Sequence, residues 1–143
     1  MSTLTEVPAL GALANERYVS ITTFRRDGSA ASTPVWVVSD DPRRLLVATG
    51  AETWKVRRIR ANPHVRVTGC NARGTLHGTT VDGVARLVEE EQLVRRLQLE
   101  KYGWQKRLIE FGYELVRRIR RRPREEAVFI EIVAATDDAS LAA

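Results

Sequence analysis

The sequence predicts a mainly β domain: a small closed or partly open barrel of about six antiparallel strands, interrupted by a helical insertion. Three observations carry this expectation. Short segments of period-two alternation, separated by turn-forming residues, follow one another over residues 18–88. From Glu89 to Arg122 the apolar residues recur every three or four positions instead. At residues 127–133 the alternation returns, so one closing strand follows the insertion. A barrel suits many short, hairpin-linked strands because closure removes exposed edges.

Residues 1–14 read as a lead-in, with a short helix near Leu10 to Asn15. In YVSITTF, residues 18–24, Val19, Ile21 and Thr23 alternate with Ser20, Thr22 and Phe24. Asp27-Gly28 is a hairpin signal, and the return strand is AASTPVWVVS, Ala30 to Ser39. Pro34 cannot donate a ladder hydrogen bond, so this strand lies at an edge or bends there. DDPRR turns the chain into a buried strand, LLVAT. A short crossover helix follows. Thr53 stands at its N-cap position, Val56 and Ile59 share its packing face, and Asn62-Pro63 stops it. HVRVTGCN forms a fourth strand, with Val65 and Val67 on one side. TLHGTTVDGVARLV forms the fifth, with Gly78 and Gly83 marking a bend or bulge. The insertion, residues 89–122, reads as two helices broken near Gly103, with Leu93, Leu97, Leu108, Gly112, Leu115 and Ile119 at the repeating positions. AVFIEIV closes the barrel, and the tail, residues 134–143, reads as frayed.

A chain of 143 residues fits one domain with one core. Its 43% hydrophobic and 29% charged content mark a folded chain rather than a disordered one. No apolar run approaches the ~20 residues that span a bilayer. Residues 1–13 include Glu6 and no basic cluster ahead of an apolar run, so no secretory signal is expected. A single cysteine, Cys70, excludes an internal disulfide framework and suits a reducing cytoplasm. With His64 and His77 as the only histidines, no metal site is expected. A net charge of +5 and a pI near 10.0 favour anionic partners without choosing among them.

Candidate chemistry concentrates in LLVATGAETWKVRRIRANPHVRV, Leu45 to Val67. A strand end running into a helix N-terminus is a ready anion site, because the first backbone N–H groups are unpaired and the helix dipole is positive there. Thr49 and Thr53 offer hydroxyls, Gly50 admits a ligand close to the backbone, and Lys55 adds a point charge. The set reads as a phosphate cradle for a nucleotide-like cofactor. The alternative is a solvated basic helix with an ordinary cap. Arg57, Arg58, Arg60 and Arg66 face either an anionic group or water.

TPVWVV at Thr33 to Val38, ATGAETWKVRRIRANPHVRV at Ala48 to Val67 and NARG at Asn71 to Gly74 resemble the split-barrel flavin and deazaflavin oxidoreductases related to pyridoxamine 5′-phosphate oxidase. The nearest resemblance is to the branch that uses the 8-hydroxy-5-deazaflavin coenzyme F-420. The pattern T-x-K-x-x-R/K-[IL]-R-x-N-P, starting at Thr53, is its most specific part, and the resemblance covers Tyr18 to Val133. KYGWQ, Lys101 to Gln105, looks like a segment of one subgroup. The resemblance implies a split β-barrel and a homodimer with the cofactor in a groove at the interface. The phosphate side would meet Thr49, Gly50, Thr53, Trp54 and Lys55, and the ring would lie along Thr33, Pro34, Val35 and Trp36. Arg58, with Arg57 and Arg60, would rim the polyglutamate tail. The implied activity is hydride transfer to or from a small-molecule substrate, with no dedicated nucleophile or acid–base pair. FMN is the alternative cofactor, and a non-catalytic carrier of cofactor or haem-like ligands the alternative role. Where flavin-using oxidases carry an arginine beside the lysine, this chain has Trp54, which argues against pyridoxamine phosphate oxidation.

Other residues divide between two readings each. Trp36 stacks near the cofactor ring or fills the barrel. His64 and His77 protonate a substrate or serve the fold. Cys70 reads as a small core residue. Asn71 and Arg73 flank a turn that touches the cofactor or partner subunit, or is solvated. Glu89-Glu90-Glu91 reads as a helix start. The insertion ends in VRRIRRRPRE, where Leu108, Leu115 and Ile119 give an apolar face crowded by Arg117, Arg118, Arg120, Arg121, Arg122 and Arg124. The plain reading is a packed helix with a solvated basic end. The sharper one is a weak contact of helix 105–122 with an anionic membrane surface, which would make the protein membrane-peripheral. No nucleic-acid signature is present, so no such partner is expected.

Overall fold

A computed structural model describes residues 10–50, 53–120 and 126–135, with residues 104, 116, 117 and 120 described by backbone alone. Expectations for residues 1–9, for Arg121, Arg122 and Arg124, and for the tail from residue 136 lie outside the described residues.

Seven strands form one antiparallel sheet: β1 (Tyr18–Phe24), β2 (Ala30–Trp36), β3 (Val38–Asp41), β4 (Arg44–Gly50), β5 (His64–Cys70), β6 (Leu76–Val88) and β7 (Ala127–Ala134). Their spatial order is β2-β1-β5-β6-β7-β4-β3. β2 and β3 occupy opposite edges, yet only Val37 lies between them. Two residues of extended chain reach about 7 Å. The sheet must therefore curl until its edges meet, which makes it a barrel with a seam at Trp36-Val37-Val38. Val37 is fully buried at that seam.

The single return strand expected over Ala30–Ser39 is thus two strands, which brings the expected count of about six to seven. Side-chain alternation runs on through Val37, but the hydrogen-bonding partner changes: Trp36 pairs with Tyr18 and Val38 with Leu46. Pro34 lies opposite Ser20 on the edge strand β2, where a missing N–H is tolerated.

The β1–β2 turn is closed by Arg25 N–H donating to the Ser29 carbonyl at 2.8 Å and Gly28 N–H donating to the Arg25 carbonyl at 2.9 Å. Gly28 has φ 88°, a conformation that favours glycine. In β6 the bulge expected at Gly78 is present. Thr68 pairs with Thr80 and Cys70 with Leu76, so β6 carries extra residues around Gly78, whose φ is 81°. Gly83 is different. It pairs regularly with Val65 and Ala134, and a Cβ there would lie 2.9 Å from Ile132 Cγ2. Close packing, not a bulge, requires that glycine.

The core has two layers. In the first, Val19, Ile21, Leu45, Val47, Val65, Val67, Ile130 and Ile132 from the strands meet Leu10 and Leu13 of α1, described over residues 10–13, and Ile59 of α2 (Trp54–Ala61). In the second, Val38, Leu46 and Phe129 meet Val94 and Tyr102 of α3 (Glu91–Tyr102), with Trp36, Ala48, Leu93 and Leu97 half-buried against them. β4 is therefore covered on both faces, which explains its unbroken apolar run. Gly103, with φ 56°, ends α3, and α4 (Trp104–Arg120) follows. The packed helix expected there is not what forms: Leu108, Leu115 and Ile119 are 60, 50 and 72% exposed. α4 instead turns Lys106 inward, where it is buried and paired with Glu110.

Two polar clusters tie the barrel to its surroundings. The Lys101 ammonium donates to the carbonyls of Ala14, Glu16 and Val37 at 2.8, 2.6 and 2.6 Å. The neighbouring Tyr102 hydroxyl donates to the Arg17 carbonyl at 2.7 Å and accepts from Val37 N–H at 3.1 Å. Lys101 and Tyr102 thus clamp the entry to β1 and the barrel seam together. On β4, Arg44 pairs with Asp40 and Glu90 at 2.8 Å and with Glu131 at 2.9 Å, and Arg86 meets the other Glu131 oxygen at 2.7 Å. Glu90, expected only as part of a helix start, stands at the α3 N-cap position and joins this network instead of capping.

Candidate functional site

α2 has two opposed faces. Val56 and Ile59 are buried and hold the helix on the barrel. Trp54, Arg57, Arg58 and Ala61 follow the i, i+3, i+4, i+7 spacing of a single helix face and point the other way. That face forms one wall of an open groove of about 570 Å³. The other wall is the end of β1 and the start of the hairpin turn: Phe24, Arg25 and Arg26.

Four guanidinium-bearing residues and two aromatic rings thus converge, and no carboxylate lines the groove among the described residues. Trp54 is 66% exposed, and the Arg57 guanidinium lies over its ring, 4.9 Å from the centroid. Arg25 is held by hydrogen bonds from Nη1 to Ser29 Oγ and to the Ala30 carbonyl, both 3.1 Å. Phe24 is flanked by Arg66, 5.5 Å over its ring, and by the His64 ring, 5.5 Å between centroids. Asp82 answers this outer pair, 3.1 Å from Arg66 Nε and 3.5 Å from His64 Nε2. A concave wall of one charge sign concentrates anions, and Arg offers forked donors to phosphate or carboxylate.

The cradle expected at the start of α2 is less complete. Thr53 occupies the N-cap position but makes no capping hydrogen bond. Its hydroxyl turns back and donates to the Gly50 carbonyl at 3.0 Å, and its N–H donates to the same oxygen at 3.2 Å. Both Thr53 donors are engaged within the turn. Thr49 and Gly50 end β4 opposite Val128 and Ala127. Lys55 lies about a quarter-turn round the helix from Trp54, half-buried and not among the groove residues. The backbone N–H groups at the start of α2 are what is left of the expected cradle.

Of the ten expected site residues, the groove brings together Trp54 and Arg58. Thr33, Pro34, Val35 and Trp36 are half-buried on β2 and do not line it. Val35 packs on the inner core, and Trp36 stacks on Tyr102 with centroids 4.1 Å apart and planes 8° from parallel. Arg25 and Arg26 were missed because they read as part of a turn. Their only sequence signal was two consecutive basic residues after a strand ending in Phe24. His77 lies 3.5 Å from Glu16. Cys70 is buried, and that burial pushes its thiol up, away from the reactive thiolate. Asn71 Oδ1 accepts from Arg73 N–H at 2.9 Å and Thr75 N–H at 3.0 Å, a self-contained turn. No cluster of potential metal ligands occurs among the described residues, and none of the helices there is long and apolar enough to cross a membrane.

Comparison with known proteins accords with this architecture. The family model for pyridoxamine 5′-phosphate oxidase matches residues 9–133. No curated protein sequence matches the chain at a significant level. Among solved structures, an F-420 reductase is similar with 18% identity over 87% of this chain and 91% of that one, at a TM-score of 0.58. An FAD-binding protein from Mesorhizobium loti is similar with 19% identity over 94% and 89%, at 0.53. A haem storage protein from Vibrio cholerae is similar with 13% identity over 93% and 88%, at 0.52. At these identities the likeness establishes the split-barrel fold.

Proposed function

Because the chain belongs to the pyridoxamine 5′-phosphate oxidase family, we propose that it is an oxidoreductase that binds a deazaflavin, coenzyme F-420, and moves hydride to or from a small organic substrate. The observation that carries this reading is the groove on α2, where Arg25, Arg26, Arg57 and Arg58 surround Trp54 and Phe24 with no carboxylate among the described residues. One phosphate is satisfied by a pair of guanidiniums. Coenzyme F-420 presents a phosphodiester and a polyglutamate tail, so four arginines suit it better than FMN. In this reading the arginines hold the anionic tail, and Trp54 and Phe24 give the groove its apolar walls. The first-turn amides of α2 meet the phosphodiester. When bound, the deazaflavin supplies the hydride chemistry. The chain's own residues bind and orient it: α2 is fixed on the barrel by Val56 and Ile59, and Arg25 on the facing wall is held by Ser29 Oγ and the Ala30 carbonyl. The reading takes a second copy of the chain as the remaining wall. Trp54 in place of an arginine beside Lys55 argues against pyridoxamine phosphate as substrate.

Titrating the purified protein with coenzyme F-420 and with FMN, followed by tryptophan fluorescence, tests the proposal. Saturable binding of F-420, tighter than FMN, is the expected result. Failure of both to bind would sink it. The similarity to an FAD-binding protein favours FMN as the second reading, and a yellow preparation that binds FMN more tightly would select it. Tight binding without turnover against any electron acceptor would point to a carrier instead.

A further inference from the structure

Among the described residues, exposed large apolar side chains concentrate on α4, away from the groove. Leu108, Phe111, Leu115 and Ile119 are 60, 69, 50 and 72% exposed, and their spacing places them on one stripe of the helix. A helix normally buries its apolar stripe. α4 does the reverse, since its buried polar residue, Lys106, lies on the opposite side. Phe111, Leu115 and Arg118 line an open cleft of about 1020 Å³ that they share with Arg95 and the start of β7 at Glu126 and Ala127, so this side of the stripe is open to solvent and is not packed on the barrel.

The charge of the chain is concentrated on the same segment. Residues 104–124 contain eight Lys or Arg and two Glu, an excess of six positive charges, whereas the whole chain carries +5. The other 122 residues are therefore close to neutral, and the basic character of the protein resides in one amphipathic helix and its C-terminal extension. An apolar stripe of aromatic and aliphatic side chains bordered by cations matches a bilayer surface of anionic lipid. The stripe enters the acyl boundary and the cations meet the headgroups. A nucleic acid would satisfy the cations and leave the stripe in water. We propose that α4 is a peripheral membrane anchor, docking the protein on anionic bilayers with Leu108, Phe111, Leu115 and Ile119 inserted and Arg107 and Arg118 at the headgroups.

The test is co-sedimentation of the full chain with phosphatidylcholine vesicles, with and without phosphatidylglycerol, at low and high salt. Binding to the phosphatidylglycerol vesicles, weakened by salt and small on phosphatidylcholine alone, is expected. The variant L108Q/L115Q/I119Q changes only exposed side chains, and circular dichroism verifies its fold. It should lose at least about tenfold in vesicle binding with an unchanged molar mass in light scattering. Equal vesicle binding by variant and parent, or no binding by the parent at low salt, would overturn the proposal. So would a parent dimer that the variant dissociates, which would make the stripe a contact between copies.

Discussion

The Arg57 guanidinium lies 4.9 Å over the Trp54 ring, so the two side chains order each other on the outer face of α2. Trp54 is largely exposed, and its removal leaves the core untouched. Trp54→Ala is expected to weaken F-420 binding about tenfold, the scale of a partly desolvated cation–π contact plus lost apolar wall, with no change in melting temperature. Calorimetric titration of the variant checks this without relying on the deleted fluorophore.

The groove and the helix start make different demands on α2. If the groove holds the anionic tail, Arg58→Ala weakens cofactor binding more than Lys55→Ala does, and Arg26→Ala, on a different element, weakens it too. Each arginine variant is expected to flatten the salt dependence of affinity, since exposed charge contacts are screened. Lys55→Ala should still weaken binding with the fold intact. A larger loss for Lys55→Ala than for Arg58→Ala would place the anion at the helix start instead.

Acid should destabilise the barrel through Glu131. Burial alone would raise its carboxyl, but hydrogen bonds from Arg86 and Arg44 outweigh that and hold it below its ordinary 4.5. Asp40, hydrogen-bonded to Arg44, is lowered as well. A carboxylate with a depressed folded pKa contributes stability that is present above the unfolded value and lost as pH falls through the folded one. Melting temperature is therefore expected to drop steeply below about pH 4. Glu131→Gln should flatten that drop and cost about 2–4 kcal/mol at neutral pH by leaving two guanidiniums under-paired. Thermal melts across pH measure both.

At the alkaline end the relevant group is Tyr102. Burial pushes its phenol up to about 12. The unfolded chain ionises near 10 while the folded one stays protonated, so this contribution is intact below pH 10 and is lost as pH rises toward 12. Tyr102→Phe keeps the stacking on Trp36 but deprives Val37 N–H of its hydroxyl acceptor. A loss of about 1–3 kcal/mol, with a weaker alkaline decline, is the expected outcome in denaturant titrations.

Local chemistry was legible in the sequence wherever a single residue decides the backbone. Asp27-Gly28 made the hairpin, Asn62-Pro63 stopped α2, and Gly103 broke the insertion into two helices. The division of Ala30–Ser39 was not legible, because alternation records which face a side chain takes and not which strand its backbone pairs with. The groove was only half legible. Trp54 and Arg58 share a helix face that spacing reveals, but Arg25 and Arg26 reach it from about thirty positions earlier, through the packing of α2 on β1. α4 misled for a related reason: periodicity identifies an apolar stripe and not what will cover it.

The one-residue seam at Val37 has a kinetic side. β2 and β3 are neighbours in the chain, but each finds its place only against strands that already sit in order, from β1 through β5, β6 and β7 to β4. β7 arrives last in the sequence, and both β4 and β6 must wait for it. Ring closure therefore depends on contacts between residues 44–50 and 127–134, whose loop-closure entropy is spent before the seam can form. This topology should fold slowly for its size. A circular permutant opened within the Ala30–Ser39 segment would separate the two edges and convert a self-tethered ring into a sheet with two free ends.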